Sequence, residues 1–366
     1  MAAYPELWGE RGYPPRVHLK ALAGSVVHAV LETVTRELAR AGCPSVHDAS
    51  AVTVLQNLGG LSKVVGQAID RLMDRLAANP RSNRVRDHIA RTLRAQVSEL
   101  RSRAQTMLCR RHLPRSATRP APTRGPRFRG PLSSGVHCEI ELRAPQLQWK
   151  GKADLLALAP DDCELTDFKT GEPTVEHQFQ LRTYALLWNR DGELNPSHRL
   201  ASRLLLAYPS GDIEVPAPTA DELDELERQV TVRGAAARQA VLALPPEAKP
   251  DAERCRYCAV RHLCDAYWRD ETRRTMAAQI GQQPFGDIEA TIVGRHGLSS
   301  WDIAIPEHAG NPQAQRGLLR TNVEFEFRAG DRLRILDAAI VDPGEEGKPP
   351  VITLGVQSEV FRHSQP

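Results

Sequence analysis

The sequence predicts an α/β core, a mixed central sheet flanked by helices, with a helical insert and a small all-β domain at its C-terminal end. Three patterns predict it. Residues 152–159 and 163–169 are short strand-like runs on either side of Pro160, Asp161 and Asp162, and a helical pattern follows from about residue 175 to 188. Val27, Val30, Leu31, Val34 and Leu38 recur at helical spacing within residues 17–41, where Gly42 and Pro44 end the helix. After about residue 285, the runs 288–293, 323–327, 332–341 and 351–357 are short, strand-like and separated by Gly, Pro and Asn.

The remaining elements follow in order. Residues 44–112 read as inserted helices, with Ile69, Leu72, Met73 and Leu76 forming one apolar stripe. Residues 114–131 are rich in Pro, Arg, Ser and Gly and read as a mobile loop. Residues 137–142 alternate as a strand that pairs with the hairpin, its Glu139 and Glu141 expected behind the functional residues rather than among them. Residues 200–208 and 212–215 read as strands. A long helix is expected from Thr219 to Leu244, opened by a Thr219–Glu222 capping box and stopped by Pro245 and Pro246. Turns are expected at Gly330-Asp331 and at residues 343–347. The domain reading is 1–43, 44–135, 136–284 and 285–366.

Composition narrows the classes. The 366 residues are 41% hydrophobic, enough for a core, yet no apolar run approaches the roughly 18 residues that span a membrane. The first residues lack an apolar signal region, so a cytoplasmic protein is expected. There, seven cysteines argue for a metal or cluster site rather than a disulfide framework. The net charge of +3 conceals a segment, residues 81–129, with fourteen Arg against Asp87 and Glu99. An Arg-only cluster of that kind suits nucleic-acid contact; the plain alternative is a solvated basic stretch.

The chemistry concentrates in residues 150–184. With a hairpin register symmetric about Pro160 and Asp161, Asp154 stands opposite Asp167, and Lys169 shares their face with Leu156, Leu158 and Leu165. Carboxylates on an apolar face need a partner that keeps them ionised, which points to Mg2+ or Mn2+. Lys169 would then orient or deprotonate the attacking water. Gln180 and Tyr184, four apart, share one helical face, where Gln180 reaches a phosphate or the water. An isolated Asp-x-Lys triplet could equally be a surface salt bridge.

The combination Gly151-x-x-Asp154, Asp167-Phe168-Lys169-Thr170-Gly171 and Gln180-x-x-x-Tyr184 resembles the RecB-type branch of the PD-(D/E)XK nuclease superfamily. The stretch Ala23 to His28 is similar to that family's first motif. The resemblance implies a restriction-endonuclease-like core and a DNA nuclease, acting as an exonuclease on single strands or ends in repair, recombination or anti-phage defence. It implies a metal held by His28, Asp154, Asp167 and the Phe168 carbonyl, with Lys169 activating water and Gln180 and Tyr184 positioning the strand. The chain lacks a Gly-x-x-x-x-Gly-Lys-Ser/Thr loop, so any helicase or ATPase partner would be a separate subunit. The rival from another class is a non-catalytic DNA-end-binding or scaffold subunit; an RNA-directed nuclease is a further one.

Cys255, Cys258 and Cys264 are spaced so that a tight turn could bring them to one metal. The pattern resembles the iron–sulfur variants of the same family, which implies a structural [4Fe–4S] cluster; Zn2+ is the alternative. Those relatives carry a fourth cysteine upstream of the His motif, and residues 1–27 here contain none. Cys43, Cys109 or His262 could complete the set. Cys163 reads as a core thiol. The C-terminal strands suit an OB-like barrel, in which Trp301, Phe325, Phe327 and Phe361 could stack bases, or a docking domain.

Overall fold

The computed structural model describes residues 14–114, 129–243, 247–269, 285–306, 315–321, 325–341 and 349–362. The chain forms two compact units, one of Val17–Ala78 and Ile89–Gln239, the other of Met1–Arg16, Asn79–His88 and Ala240–Pro366. Most of the expected mobile loop 114–131, the last residues of the expected helix to Leu244, and the turn at 343–347 lie outside the described residues.

The first unit is built on a five-stranded sheet in the order β1 (Gly135–Ala144), β2 (Trp149–Leu158), β3 (Cys163–Phe168), β4 (Arg203–Ala207), β5 (Asp212–Val215). Strands β1, β2 and β3 form an antiparallel meander, and β3 runs parallel to β4 through the crossover helix α7 (Val175–Arg190). The β2–β3 turn closes through Ala159 N–H to Asp162 O at 2.8 Å, and Leu155 pairs with Thr166. That register puts Asp154 opposite Asp167. Leu156, Leu165, Leu181, Trp188, Leu204 and Leu206 are almost fully buried and share one core, each such side chain contributing about 1.5–3 kcal/mol.

Helices surround this sheet. In α1 (Leu19–Arg40) the stripe Val27, Val30, Leu31, Val34 and Leu38 is buried against α3 (Leu61–Ala77) and α6 (Val97–Cys109). Helix α3 contributes Ile69, Leu72, Met73 and Leu76 to the same interior. In chain order α2 (Ala49–Asn57) precedes α3, while α4 (Pro80–Asn83), which belongs to the second unit, and α5 (Arg86–Ala95) follow it. Helix α8 (Ala220–Leu242) begins at the capping box: Thr219 N–H donates to Glu222 Oε2 at 2.9 Å, and Glu222 N–H to Thr219 Oγ1 at 3.3 Å.

The second unit carries the cysteine segment, with α9 (Ala252–Cys255) and α10 (Asp265–Arg269), and six strands: β6 (Phe285–Gly297), β7 (Ser300–Ile305), β8 (Gln315–Thr321), β9 (Arg332–Val341), β10 (Val351–Leu354) and β11 (Glu359–Arg362). The order β10-β8-β7-β6-β9, with β9 also paired to β10, closes five strands into a ring; β11 is added on β9. The β8–β10 pair is parallel.

The expected strand at 323–327 is corrected. Val323 and Glu324 lie outside the described residues, and Phe325 to Phe327 are not in a strand. Phe325 stacks on Phe327 at 5.0 Å and Phe327 meets Trp301 edge-on at 5.1 Å, so these rings pack on the barrel's core. Phe361 stacks on His262 at 3.8 Å. The aromatics singled out for base stacking are engaged within the unit.

The basic segment is also engaged. Arg81 grips Glu359 at 2.9 and 2.6 Å and the Ala259 carbonyl at 2.6 Å, while Arg84 donates to Ser358 O at 2.6 Å. Arg110 pairs with Asp212 at 3.1 Å, Arg111 with the same carboxylate, and Arg129 with Asp191 and Glu193. At these five arginines the expected nucleic-acid footprint is internal ionic structure. Its sequence signature was a charge count, which carries no information about partners far away in the chain.

Close approach of α7 to β2 depends on Gly151, where an added Cβ would lie 2.8 Å from Leu187 Cδ1 and 2.9 Å from Tyr184 Cε1. Gly151→Ala should therefore lower the urea midpoint of the sheet unit with its m-value kept, a loss of about 1–3 kcal/mol from overpacking. An unchanged midpoint would contradict the close packing.

Candidate metal and nuclease centre

The site is a row across three neighbouring strands. In the β1–β2 register Cys138 pairs with Leu155 and Ile140 with Ala153, so Glu139 stands opposite Asp154, which stands opposite Asp167. Residues directly opposite across strands share a face and lie close. Glu139, Asp154 and Asp167 thus form one transverse line of carboxylates.

Helix α1 brings His28 to this line, its Nδ1 3.5 Å from Asp154 Oδ1 and its ring edge-on to Phe168. Gly24, one turn earlier, lets α1 approach the end of β3: a Cβ there would meet Thr170 Oγ1 at 2.7 Å. Ligand atoms of His28, Glu139 and Asp154 lie within 4.8 Å of one another, close enough to hold one metal ion. Glu139 was expected behind the ligands, and here it is among them. The β1–β2 turn at Pro145-Gln146-Leu147-Gln148 could have revealed this, because symmetry about Gln146 and Leu147 sets the same register that Pro160 and Asp161 set for the next hairpin.

Asp154 also accepts a hydrogen bond from Phe168 N–H at 2.7 Å, which ties β2 to the last residue of β3. Asp167 is buried and lies outside the triad of His28, Glu139 and Asp154; Lys169 Nζ sits 2.6 Å from its Oδ2. From Lys169 a chain of bonds runs to α7, Nζ donating to Gln180 Oε1 at 2.7 Å and Gln180 Nε2 to Tyr184 Oη at 2.7 Å. The structure brings His28, Asp154, Asp167, Phe168, Lys169, Gln180 and Tyr184 near one another, with Glu139 and its ion-pair partner Lys152 beside Asp154.

Burial and charge together set the titrations. Burial and the Asp154 carboxylate push the Asp167 carboxyl up to about 6, against the pull of Lys169. Burial opposes a charged imidazole at His28, yet its hydrogen bond to Asp154 and the three nearby carboxylates together hold its pKa above the ordinary value. Burial raises the Tyr184 phenol, which its bond from Gln180 only partly offsets. Three carboxylates against the Lys169 and Lys152 ammoniums leave a site able to take up further positive charge. The donor set of carboxylates and one imidazole fits a hard divalent ion such as Mg2+ or Mn2+.

The cysteine segment is a separate candidate site. Asp251 caps α9 through bonds from Glu253 and Arg254 N–H, and Asp251 N–H donates to Cys255 Sγ at 3.4 Å. Tyr267 N–H donates to Cys264 Sγ at 3.4 Å. Burial, and then the nearby thiols of Cys258 and Cys264, raise the Cys255 pKa. Among the described residues the three Sγ atoms do not gather within 4.8 Å of one another. Of the candidate fourth ligands, Cys43 is buried 3.0 Å from Ser50 Oγ, and His262, stacked on Phe361, has its pKa lowered to about 4, chiefly by burial.

A strand row of carboxylates beside a lysine, fed by a crossover helix, makes a site that could hold a divalent ion. Residues 8–265 match the PD-(D/E)XK nuclease superfamily, and the chain belongs to that family. The comparison with curated proteins found no match. Among solved structures, one described as "Structural mimicry for functional antagonism" is 7% identical, with 62% of this chain and 88% of that chain covered and a TM-score of 0.16, too low to carry an argument.

The raised Asp167 pKa has a sign. Relative to an unfolded carboxyl near 3.9, its favourable contribution to stability is complete below about pH 4 and lost as pH rises through 6. A divalent ion held by His28 would compete with the imidazole proton, and with the Asp167 proton where that carboxylate adjoins it. Mn2+ affinity, measured calorimetrically, should fall by up to about tenfold per pH unit below the raised His28 pKa and more steeply below 6, and Asp167→Asn should remove the added steepness.

Proposed function

We propose that this chain is a metal-dependent deoxyribonuclease that hydrolyses phosphodiester bonds on single strands or at duplex ends. The observation that carries the reading is the row Glu139, Asp154, Asp167 with the Lys169 ammonium 2.6 Å from its last member. A bound Mg2+ or Mn2+ would lower the pKa of a water and offset charge developing on the phosphate. His28, Glu139 and Asp154 would hold that ion, with Asp167 and the Phe168 carbonyl adjoining. Lys169 orients the attacking water or takes its proton. Gln180, locked by Tyr184, keeps the ammonium pointed into the site.

The cysteine segment supports a [4Fe–4S] cluster over Zn2+. Tetrahedral zinc with Zn–S near 2.3 Å brings thiolates to about 3.8 Å of one another, whereas at least one pair of these three stands more than 4.8 Å apart. Amide N–H groups donating to two of the sulfurs also suit thiolates held at a cluster. The ring order of the barrel and its parallel β8–β10 pair suit an OB-type barrel. With its aromatics packed inward, that barrel serves as a docking domain better than as a base-stacking face. A cytoplasmic role in repair, recombination or defence, with any helicase supplied by a separate subunit, fits these features.

Cleavage of end-labelled single- and double-stranded DNA with Mg2+ or Mn2+ tests the reading. Lys169→Ala should cut at least about 100-fold more slowly, the scale of a lost proton-transfer group, while still binding DNA. Intact DNA with wild-type protein, still bound, would make the chain a DNA-end-binding subunit instead. The same preparation should show broad visible absorption and contain iron, both lost in Cys258→Ser; a colourless protein containing zinc would reverse the choice of metal.

A further inference from the structure

We propose that His177 contacts a phosphate of the nucleic-acid strand beside Lys169, and that Tyr208 sets the tautomer in which it does so. The inference rests on reading the site as one that handles phosphodiesters. His177 Nδ1 lies 2.8 Å from Tyr208 Oη. Tyr208 is buried, 1% exposed, and follows Ala207, whose carbonyl accepts a hydrogen bond from Lys169 N–H at 2.8 Å. The pair is therefore anchored at the same strand ends as the lysine.

The direction of the hydrogen bond follows from accounting. A buried phenol needs an acceptor for its proton, and among the described residues Tyr208 Oη has no other hydrogen-bonding partner. Tyr208 O–H thus donates to Nδ1, and the imidazole proton sits on Nε2. Burial, and then Asp167, raise the phenol's pKa, so it keeps that proton. Burial and the Lys169 ammonium lower the pKa of His177. A neutral imidazole with a fixed N–H donor results.

Its position suits a strand rather than a core. His177 is half-exposed while its partner is buried. On α7 it stands three residues before Gln180 and seven before Tyr184, on one helical stripe. At about 1.5 Å per residue that stripe is about 10 Å long, the axial length of about three nucleotides at ~3.4 Å each. Helical N–H groups in the first turn of this 16-residue helix add a field favourable to anions.

Full-length protein with Mn2+ and labelled single-stranded oligonucleotides provides the test. His177→Ala should raise KM about tenfold with kcat within about twofold, as for lost binding shared by ground and transition states. His177→Gln, which restores an amide donor, should recover most of the KM, and Tyr208→Phe should fall between. Thermal melting of each variant establishes that it folds. A wild-type KM in His177→Ala, or a KM that Gln does not improve, overturns the proposal while leaving the nuclease reading intact. If wild type binds DNA without cutting it, the hydrolase reading fails and the same variants are judged by Kd from anisotropy, with about tenfold weakening expected for Ala. Wild type that neither cuts nor binds overturns both.

Discussion

Mutual repulsion among Glu139, Asp154 and Asp167 is the constraint on which the rest of the sheet unit depends. Three carboxylates in one transverse row cannot all remain ionised without positive charge nearby, and the fold supplies only part of it. Lys169 meets Asp167, Lys152 meets Glu139, and His28 leans on Asp154. Burial, and then the Asp154 carboxylate, raise the Asp167 pKa despite Lys169. Each flanking helix is placed to manage that repulsion. Helix α1 delivers the imidazole, and α7 delivers Gln180 and Tyr184, which hold the lysine in one orientation. Glycine leaves room for both approaches: a Cβ at Gly24 would meet Thr170, and one at Gly151 would meet Leu187 and Tyr184.

The basic segment shows a different use of charge. Counted along the chain it looks like a surface for phosphates, but Arg81, Arg84, Arg110, Arg111 and Arg129 each meet an acid or carbonyl of their own unit. In the second unit this is part of a wider network. Arg261 and Asp287 form a nearly fully buried ion pair at 2.6 Å, joined by Tyr267 Oη and Asp337 N–H. Such a pair is costly to break by removing one partner, so the cysteine segment, β6 and β9 are fixed to one another.

How much was legible in the sequence follows from the range of each signal. The β2–β3 hairpin, α1, α3, α7 and the α8 cap were readable because turn residues, periodicity and capping act within a few residues. The pairing of Asp154 with Asp167 was readable for the same reason. Glu139 was misplaced because its role depends on a second hairpin whose turn, Pro145 to Gln148, carries a weaker signature than Pro160 to Asp162. The strand proposed at 323–327 failed because two phenylalanines at period two can serve a strand or a stacked plug, and only packing against Trp301 decides. Strands β7, β8 and β11 carry Asp302, Arg316, Arg320 and Arg362 among their apolar residues, which dilutes the alternation. Partners of the arginines, tens to hundreds of residues away, left no local trace.

The backbone at Glu139 ties these threads together. It has φ near 55° in the middle of a strand, a conformation that costs a non-glycine residue about 1–2 kcal/mol. Strain of this kind survives only where the surroundings over-determine it. Here the pairs Cys138–Leu155 and Ile140–Ala153 clamp both neighbours, and Lys152 holds the carboxylate. A relaxed backbone at that position would keep the pairing but turn the carboxylate differently from the one that now lies with His28 and Asp154 inside 4.8 Å. The strain therefore turns an ordinary strand residue toward a site in which the hairpin register sets Asp154 and helix α1 brings His28.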